Sequence, residues 1–238
     1  MIVETDAIIL QTLKYSETSI IAHIYTQAFG NGTYIMNNVR TNRSKMAFFQ
    51  PLSLVHITAY RKKDPKQIHR LTSISFAQVP QSITGTFSKS SMALFIGEMV
   101  NRIFTEEEEN PSFFAFFKSF VVLLENTTSN YANLHILFLL HLTKFMGVAP
   151  QDNFSVEKTM FSLLHAQFVD ADTNNDCLSE KQSVLLHRIL QTNEITDSIA
   201  LTNSERQELL QILLRYYDVH ICKTQNIKSL EILKMVFE

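Results

Sequence analysis

Residues 19–39 read SIIAHIYTQAFGNGTYIMNNV. Two runs rich in isoleucine, tyrosine and threonine flank Gly30-Asn31-Gly32. Glycine and asparagine tolerate the positive φ that tight hairpin turns demand, and β-branched and aromatic side chains fit a pleated, half-buried surface. The stretch therefore predicts two antiparallel strands, 19–26 and 33–39, turning at Gly30-Asn31-Gly32. Working outward, residues 7–13, 54–60 and 68–76 have the same composition, and Asp64-Pro65 supplies a turn between the last two. In the last run Ile68, Arg70, Thr72 and Ile74 fall on one face, and His69, Leu71 and Ser73 on the other. Five short strands in under 80 residues, with one longer excursion over 40–51, predict a small closed barrel of the OB or SH3 kind.

Beyond Pro80 the apolar period changes to that of helices. Met92, Phe95, Ile96, Met99 and Ile103 recur at spacings of three and four. Asn110-Pro111 is a helix start, since asparagine caps and proline suits the first turn. It opens a stripe of Phe113, Phe117, Phe120, Val121 and Leu124. A further helix carries Leu134, Leu137, Phe138, His141 and Phe145 and ends at Gly147 and Pro150. Another is expected over 179–190. Thr202-x-x-Glu205 reads as a capping box, and Ile227, Leu230, Leu233 and Phe237 mark a last amphipathic segment. Residues 159–172 are compatible with a strand pair, and 106–109 reads as a solvated acidic connection. The predicted fold class is α+β and multidomain: an N-terminal OB-fold β-barrel over 1–80, then a mainly α-helical domain over 81–238.

Charge divides at the same place. The chain of 238 residues has 21 basic and 23 acidic groups, a formal net charge of −2. Residues 1–80 hold nine basic groups and four acids, hence +5, whereas the rest holds 12 and 19, hence −7. The basic groups of the barrel fall in two clusters. Arg40, Arg43 and Lys45 follow the third strand. Arg61, Lys62, Lys63 and Lys66 form a hairpin tip, and Arg70 lies on its return strand. Loops on a rigid barrel are suited to phosphate contacts, so these eight residues are the candidate nucleic-acid-binding set. Tyr15, Tyr34, Phe48, Phe49 and Tyr60 are candidate stacking residues, although most aromatics of a small barrel belong to its core.

Other chemistries are excluded or weak. With only Cys177 and Cys222, neither a disulfide framework nor a cysteine zinc site is expected, and the eight histidines show no ligand spacing. Asp170-x-Asp172-x-Asn174-Asn175-Asp176 begins like a calcium loop but has Asn175 at the required glycine and Lys181 at the required twelfth-position glutamate. It reads as a polar turn. No phosphate loop, nucleophile elbow or dinucleotide fingerprint occurs, so no enzyme, cofactor or metal is expected. Early acids at Glu4 and Asp6 argue against a signal peptide. The most apolar stretch, 134–146, is too short to span a membrane and contains His135, His141 and Lys144.

The order of features is similar to that of the RecO family of recombination mediators. Ala7-Ile8-Ile9-Leu10 and Tyr15-Ser16-Glu17-Thr18-Ser19 resemble that family's first hairpin, followed by Tyr25-Thr26 and Gly30. Val39-Arg40 with Ser44-Lys45 resembles its basic segment, and Gln50-Pro51-Leu52 the entry to its fourth strand. In the second half, Glu98, the acidic stretch 106–111 and the aromatic helix after it match its pattern. Phe145-Met146-Gly147-Val148-Ala149-Pro150 resembles its Leu-Gly-x-x-Pro helix end, and Lys228-Ser229-Leu230-Glu231-Ile232-Leu233 its closing segment.

The resemblance implies a non-catalytic protein of DNA repair and recombination. Such a protein binds single- and double-stranded DNA and anneals complementary strands. With RecR it helps load RecA onto DNA coated by single-strand-binding protein, whose C-terminal tail docks on the helical domain. A cytoplasmic location follows, associated with the nucleoid when DNA is bound. Many relatives carry a four-cysteine zinc site after the Gly-x-x-Pro position. Residues 151–176 contain no cysteine, so zinc is not carried over. The tail is acidic while the helical part is −7. Arg102, Lys118, Lys144 and Arg215 are the basic residues around which local pockets could form. The alternatives are a non-catalytic protein-interaction adaptor and an RNA-binding OB-fold factor.

Overall fold

The computed structural model describes residues 1–41, 43–62, 64, 67–170, 177–196 and 199–237. Five strands form the first part: β1 (Ile2–Lys14), β2 (Ile20–Thr26), β3 (Gly30–Met36), β4 (Leu54–Tyr60) and β5 (His69–Gln78). They close into a barrel in the order β1-β2-β3-β5-β4, the OB arrangement. β1 makes closure possible by pairing with two neighbours. Residues 2–8 run antiparallel to β4, and residues 7–14 run antiparallel to β2. A register shift between Ile9 and Gln11 bends the strand where it changes partner, as a bulge does. The last seam is parallel and short, Tyr34 with His69 and Ile35 with Arg70.

Alternation fills the interior. Val3, Ala7, Ile9, Ile20, Ala22, Ile24, Tyr34, Val55, Ile57, Ala59 and Leu71 are buried together. The excursion after β3 holds a five-residue helix, α1 (Arg43–Ala47), and brings Phe49 into that core, with Met46 and Phe48 packed against it. The β5 alternation holds only in its first half. Thr58 pairs with Ser73 and Ala59 with Leu71, so Thr72 is an extra residue and the inward set shifts to Ile74 and Phe76.

The β2–β3 turn also differs from expectation. It is made by residues 27–29, where Thr26 Oγ1 accepts from the Phe29 N–H at 3.1 Å and donates to the Gly30 carbonyl at 3.1 Å. Gly30-Asn31-Gly32 is already strand, and it docks against residues 101–108. Asn31 Nδ2 donates to Asn101 Oδ1 (3.0 Å) and to the Phe104 carbonyl (2.5 Å). A Cβ on Gly30 would lie 2.2 Å from the Glu108 carbonyl oxygen, and one on Gly32 would lie 2.8 Å from Glu107 Oε1. These glycines are demanded by close approach as well as by the φ of +68° at Gly30.

Past the barrel the chain is mainly helical: α2 (Ser82–Gly85), α3 (Phe87–Ile103), α4 (Pro111–Asn126), α5 (Leu134–Phe145), a hairpin of β6 (Met160–Ser162) and β7 (Gln167–Val169), α6 (Glu180–Leu190), α7 (Asn203–His220) and α8 (Lys228–Val236). The sequence signals are met at several ends. Asn110 Oδ1 accepts from the Phe113 N–H at 2.9 Å, and Thr202 with Glu205 forms the capping box. Ser179 with Gln182 forms a second box. The calcium-like loop at Asp172, Asn174, Asn175 and Asp176 lies outside the described residues.

Two compact units result. The first comprises Met1–Asn126 and Ile227–Val236, so the barrel, α2 to α4 and α8 belong together. There α3 lies so close to β1 that a Cβ on Gly97 would be 2.5 Å from the Leu10 carbonyl oxygen. Two carboxylates cap helices within this unit. Glu125 accepts from the N–H groups of Gln81, Ser82 and Ile83 at 2.7–2.9 Å. Glu98 accepts from the N–H groups of Lys228 and Ser229 and from the Ser229 hydroxyl at 2.6–3.1 Å. The second unit holds residues 127–226 and Phe237. Its core is tied by the Tyr217 hydroxyl donating to the Leu139 carbonyl at 2.7 Å and the Tyr216 hydroxyl donating to that of Val148 at 2.6 Å.

Candidate nucleic-acid interface

The first basic cluster is built on two segments laced together. The N–H groups of Val39 and Arg40 donate to the Thr18 carbonyl at 2.9 and 3.0 Å, and the Arg40 guanidinium donates to that of Ser16. Within the β1–β2 loop, the N–H groups of Tyr15 and Ser16 donate to the Ser19 carbonyl, and the Ser19 hydroxyl donates to Asn37. The segment carrying Arg40 is thus held against that loop. Arg40 and Arg43 are exposed and Lys45 is half-buried. Lys14, at the base of the same loop, is exposed too, as is the acid Glu17. In sequence Lys14 carries no cluster signal, because it is a lone lysine at a strand end.

The second cluster lies beside β3, since Ile35 pairs with Arg70. Arg70 and Lys62 are exposed. Lys63 and Lys66 lie outside the described residues. Arg61 behaves differently from the rest. Its guanidinium donates to Glu107 at 2.5 Å and lies 4.4 Å from the centre of the Phe29 ring. Glu107, only 3% exposed at its side chain, also meets His69 Nε2 at 2.5 Å. His69 is fully buried, and its Nδ1 accepts from the Lys62 N–H at 3.2 Å, which leaves Nε2 to donate to the carboxylate. Part of the 106–109 connection is therefore packed against the barrel, contrary to the solvated reading. Charge runs look solvated in sequence, and the partners His69 and Arg61 are about 40 positions away, so only tertiary structure reveals them.

The aromatic candidates separate cleanly. Tyr34 and Phe49 are buried, and Phe48 packs on Phe76 at 4.5 Å between ring centres. Burial and the nearby Glu107 push the Tyr34 hydroxyl up to about 12. Tyr15 and Tyr60 are 60% and 52% exposed. Elsewhere in the first unit, Lys118 donates to Asp6 at 3.0 Å, and Asp6 also meets His56 at 3.2 Å. Burial raises the Asp6 carboxyl, but those two partners outweigh it and hold the group below its ordinary value. In the second unit Arg215 lines a cavity of about 320 Å³ with Leu163, Leu164, Asp218 and Val219. Among the described residues no helix is long and apolar enough to cross a membrane, and no group of three or more His, Cys, Asp or Glu residues could hold a metal ion.

A closed five-strand barrel with a helix between its third and fourth strands, followed by a helical region, defines an OB-fold protein with an α-helical second half. Comparison with known proteins names the line of descent. Residues 1–79 match the family model "Recombination protein O N terminal" and residues 85–231 match "Recombination protein O C terminal". The chain belongs to the RecO family of DNA repair proteins. Three relatives bearing the name DNA repair protein RecO align over the whole of both chains. They come from Christiangramia forsetii (32% identical), Flavobacterium psychrophilum (31%) and Bacteroides fragilis (28%).

Proposed function

We propose that this protein is a non-catalytic recombination mediator whose barrel, over 1–80, holds single- and double-stranded DNA while the helical part, over 81–238, meets proteins. The observation that carries the reading is the pair of basic clusters on one small barrel, most of all Arg40 and Arg43. Both are exposed on a segment tied to the β1–β2 loop. Long cations held on a stiff scaffold neutralise phosphates and release counterions without reading sequence. Arg43, Lys45, Lys62, Lys63, Lys66 and Arg70 act with Arg40 in this role. Arg61 contributes least, because Glu107 already occupies it. Holding two strands raises their effective concentration, so complementary strands pair faster with no bond chemistry. RecR, and RecA through it, are the partners that turn annealing into loading. The acidic tail of single-strand-binding protein would find the cation Arg215 in the cavity of Leu163, Leu164 and Val219, which Asp218 also lines.

The test reverses Arg40, Arg43 and Lys45 together to glutamate. The variant should bind all sequences more weakly. Its slope of log affinity against log salt should fall by about 2 for single strands, three lost phosphate contacts at about 0.7 each. A folded variant with unchanged affinity and slope would show that DNA is held elsewhere.

A further inference from the structure

The barrel register draws one row of side chains across four strands. Ile35 of β3 pairs with Arg70 of β5, Arg70 with Tyr60 of β4, and Tyr60 with Ile2 of β1. Their neighbours along each strand are buried: Tyr34 and Met36, His69 and Leu71, Ala59, and Val3. Alternation therefore turns the row outward. Adjacent strands lie about 4.8 Å apart, so the row covers about 14 Å. Its centre is an exposed ring, with Tyr60 52% and Ile2 70% accessible. Ile35, Arg70 and Tyr60 are each paired with a strand on both sides, so a ligand over them meets side chains rather than backbone.

The surrounding charge selects the ligand. Arg70 stands in the row and exposed Lys62 lies two residues beyond Tyr60, while exposed Glu4 is two residues along β1 from Ile2 and the buried Glu107 is taken up by Arg61 and His69. An exposed ring and an isoleucine beside cations complement a polymer whose flat apolar faces alternate with phosphates. Duplex DNA keeps those faces inside its stack and offers only phosphates outward. Single strands offer both, and aromatic stacking is how many barrels hold them. We infer that Tyr60, flanked in register by Ile2 and Arg70, is a platform on which an unpaired base of single-stranded DNA stacks while Arg70 holds an adjoining phosphate. The inference rests on the DNA-binding reading above and adds a preference for unpaired strands that the basic clusters alone do not give.

The test uses the full chain, a labelled thymidine oligonucleotide, the same backbone made of abasic residues, and a duplex of equal length. Tyr60→Ala should weaken oligonucleotide binding about five- to hundredfold. It should leave abasic and duplex binding within about twofold and leave the salt slope unchanged, because no charge is lost. Tyr60→Phe, which keeps the ring, should bind like the parent. Unchanged oligonucleotide binding by Tyr60→Ala, an equal loss on all three probes, or an equal loss with Tyr60→Phe would each overturn the platform. A ribo-oligonucleotide that binds more tightly and is just as sensitive to Tyr60→Ala would overturn the assignment to DNA. A parent chain that binds none of the probes would overturn the DNA-binding reading itself, a result distinct from loss of the platform alone.

Discussion

Single residues decide how closely the pieces of the first unit approach. At Gly97 a methyl group would meet the Leu10 carbonyl oxygen at 2.5 Å, a backbone atom that cannot rotate away. Gly97→Ala should therefore destabilise the protein by about 1–3 kcal/mol, as overpacking does. Gly85 has nothing within 4 Å of the same position. Gly85→Ala should leave the protein as stable or stabilise it by up to about 1 kcal/mol, by restricting the unfolded chain. Parallel urea titrations of the two variants measure the difference. The same scale shows where sequence reasoning stops. Gly30-Asn31-Gly32 looks like a turn because composition reports tolerance of positive φ. It does not report close approach by a segment about 75 residues later, and that approach explains Asn31 and Gly32. Glu107 is the counterpart: a buried carboxylate in an acidic run whose partners, Arg61 and His69, are far along the chain.

Elements were legible wherever their causes are local. The fourth strand matches its expected limits, and the Thr202–Glu205 box and the Asn110 cap act within one turn. The bulge at Thr72 was not legible, since it depends on how β5 registers with β4. The capping of helices by distant carboxylates was equally hidden. Glu98 supplies the start of α8 with acceptors from 130 residues upstream. Glu98→Ala should strip α8 of three hydrogen bonds, at a cost of about 1–3 kcal/mol. Hydrogen exchange should show α8 amides losing protection first, with barrel amides little changed. Glu125 does the same for α2, where burial raises its carboxyl but the three N–H groups and Lys89 outweigh that and hold it below its ordinary value.

On the acid side of neutrality, the shifted carboxylates and histidines all pull in one direction. Asp6 and Glu125 lie below their ordinary values, so the stability they give is present at neutral pH and lost as acid protonates them. Burial lowers His23, and it lowers His135 further, helped by the charge of Arg206, to about 3. Unfolded, such a histidine takes its proton near 6.5, whereas in the folded protein it resists, so stability falls as pH drops below 6.5. The fully buried His135 should account for about 2 kcal/mol of loss between pH 7 and pH 5. His135→Leu should remove that dependence, which denaturant midpoints at the two pH values would show as a smaller separation. The formal charge of −2 conceals a basic barrel and acidic helices, a division legible from residue counts alone. What the counts do not show is that the first compact unit includes α8, which follows the second unit in sequence.

That order bears on synthesis. A ribosome delivers the barrel, α2, α3 and α4 and then about 100 residues of the other unit before α8 emerges. Throughout that interval the surface of α3 that receives α8 is bare, and Glu98 waits for the amides it will cap. The nascent barrel unit is thus completed only by a piece encoded later in its own message. A second copy of α8 on a neighbouring chain would fit the same vacancy, so crowded translation would favour exchange of that helix between molecules.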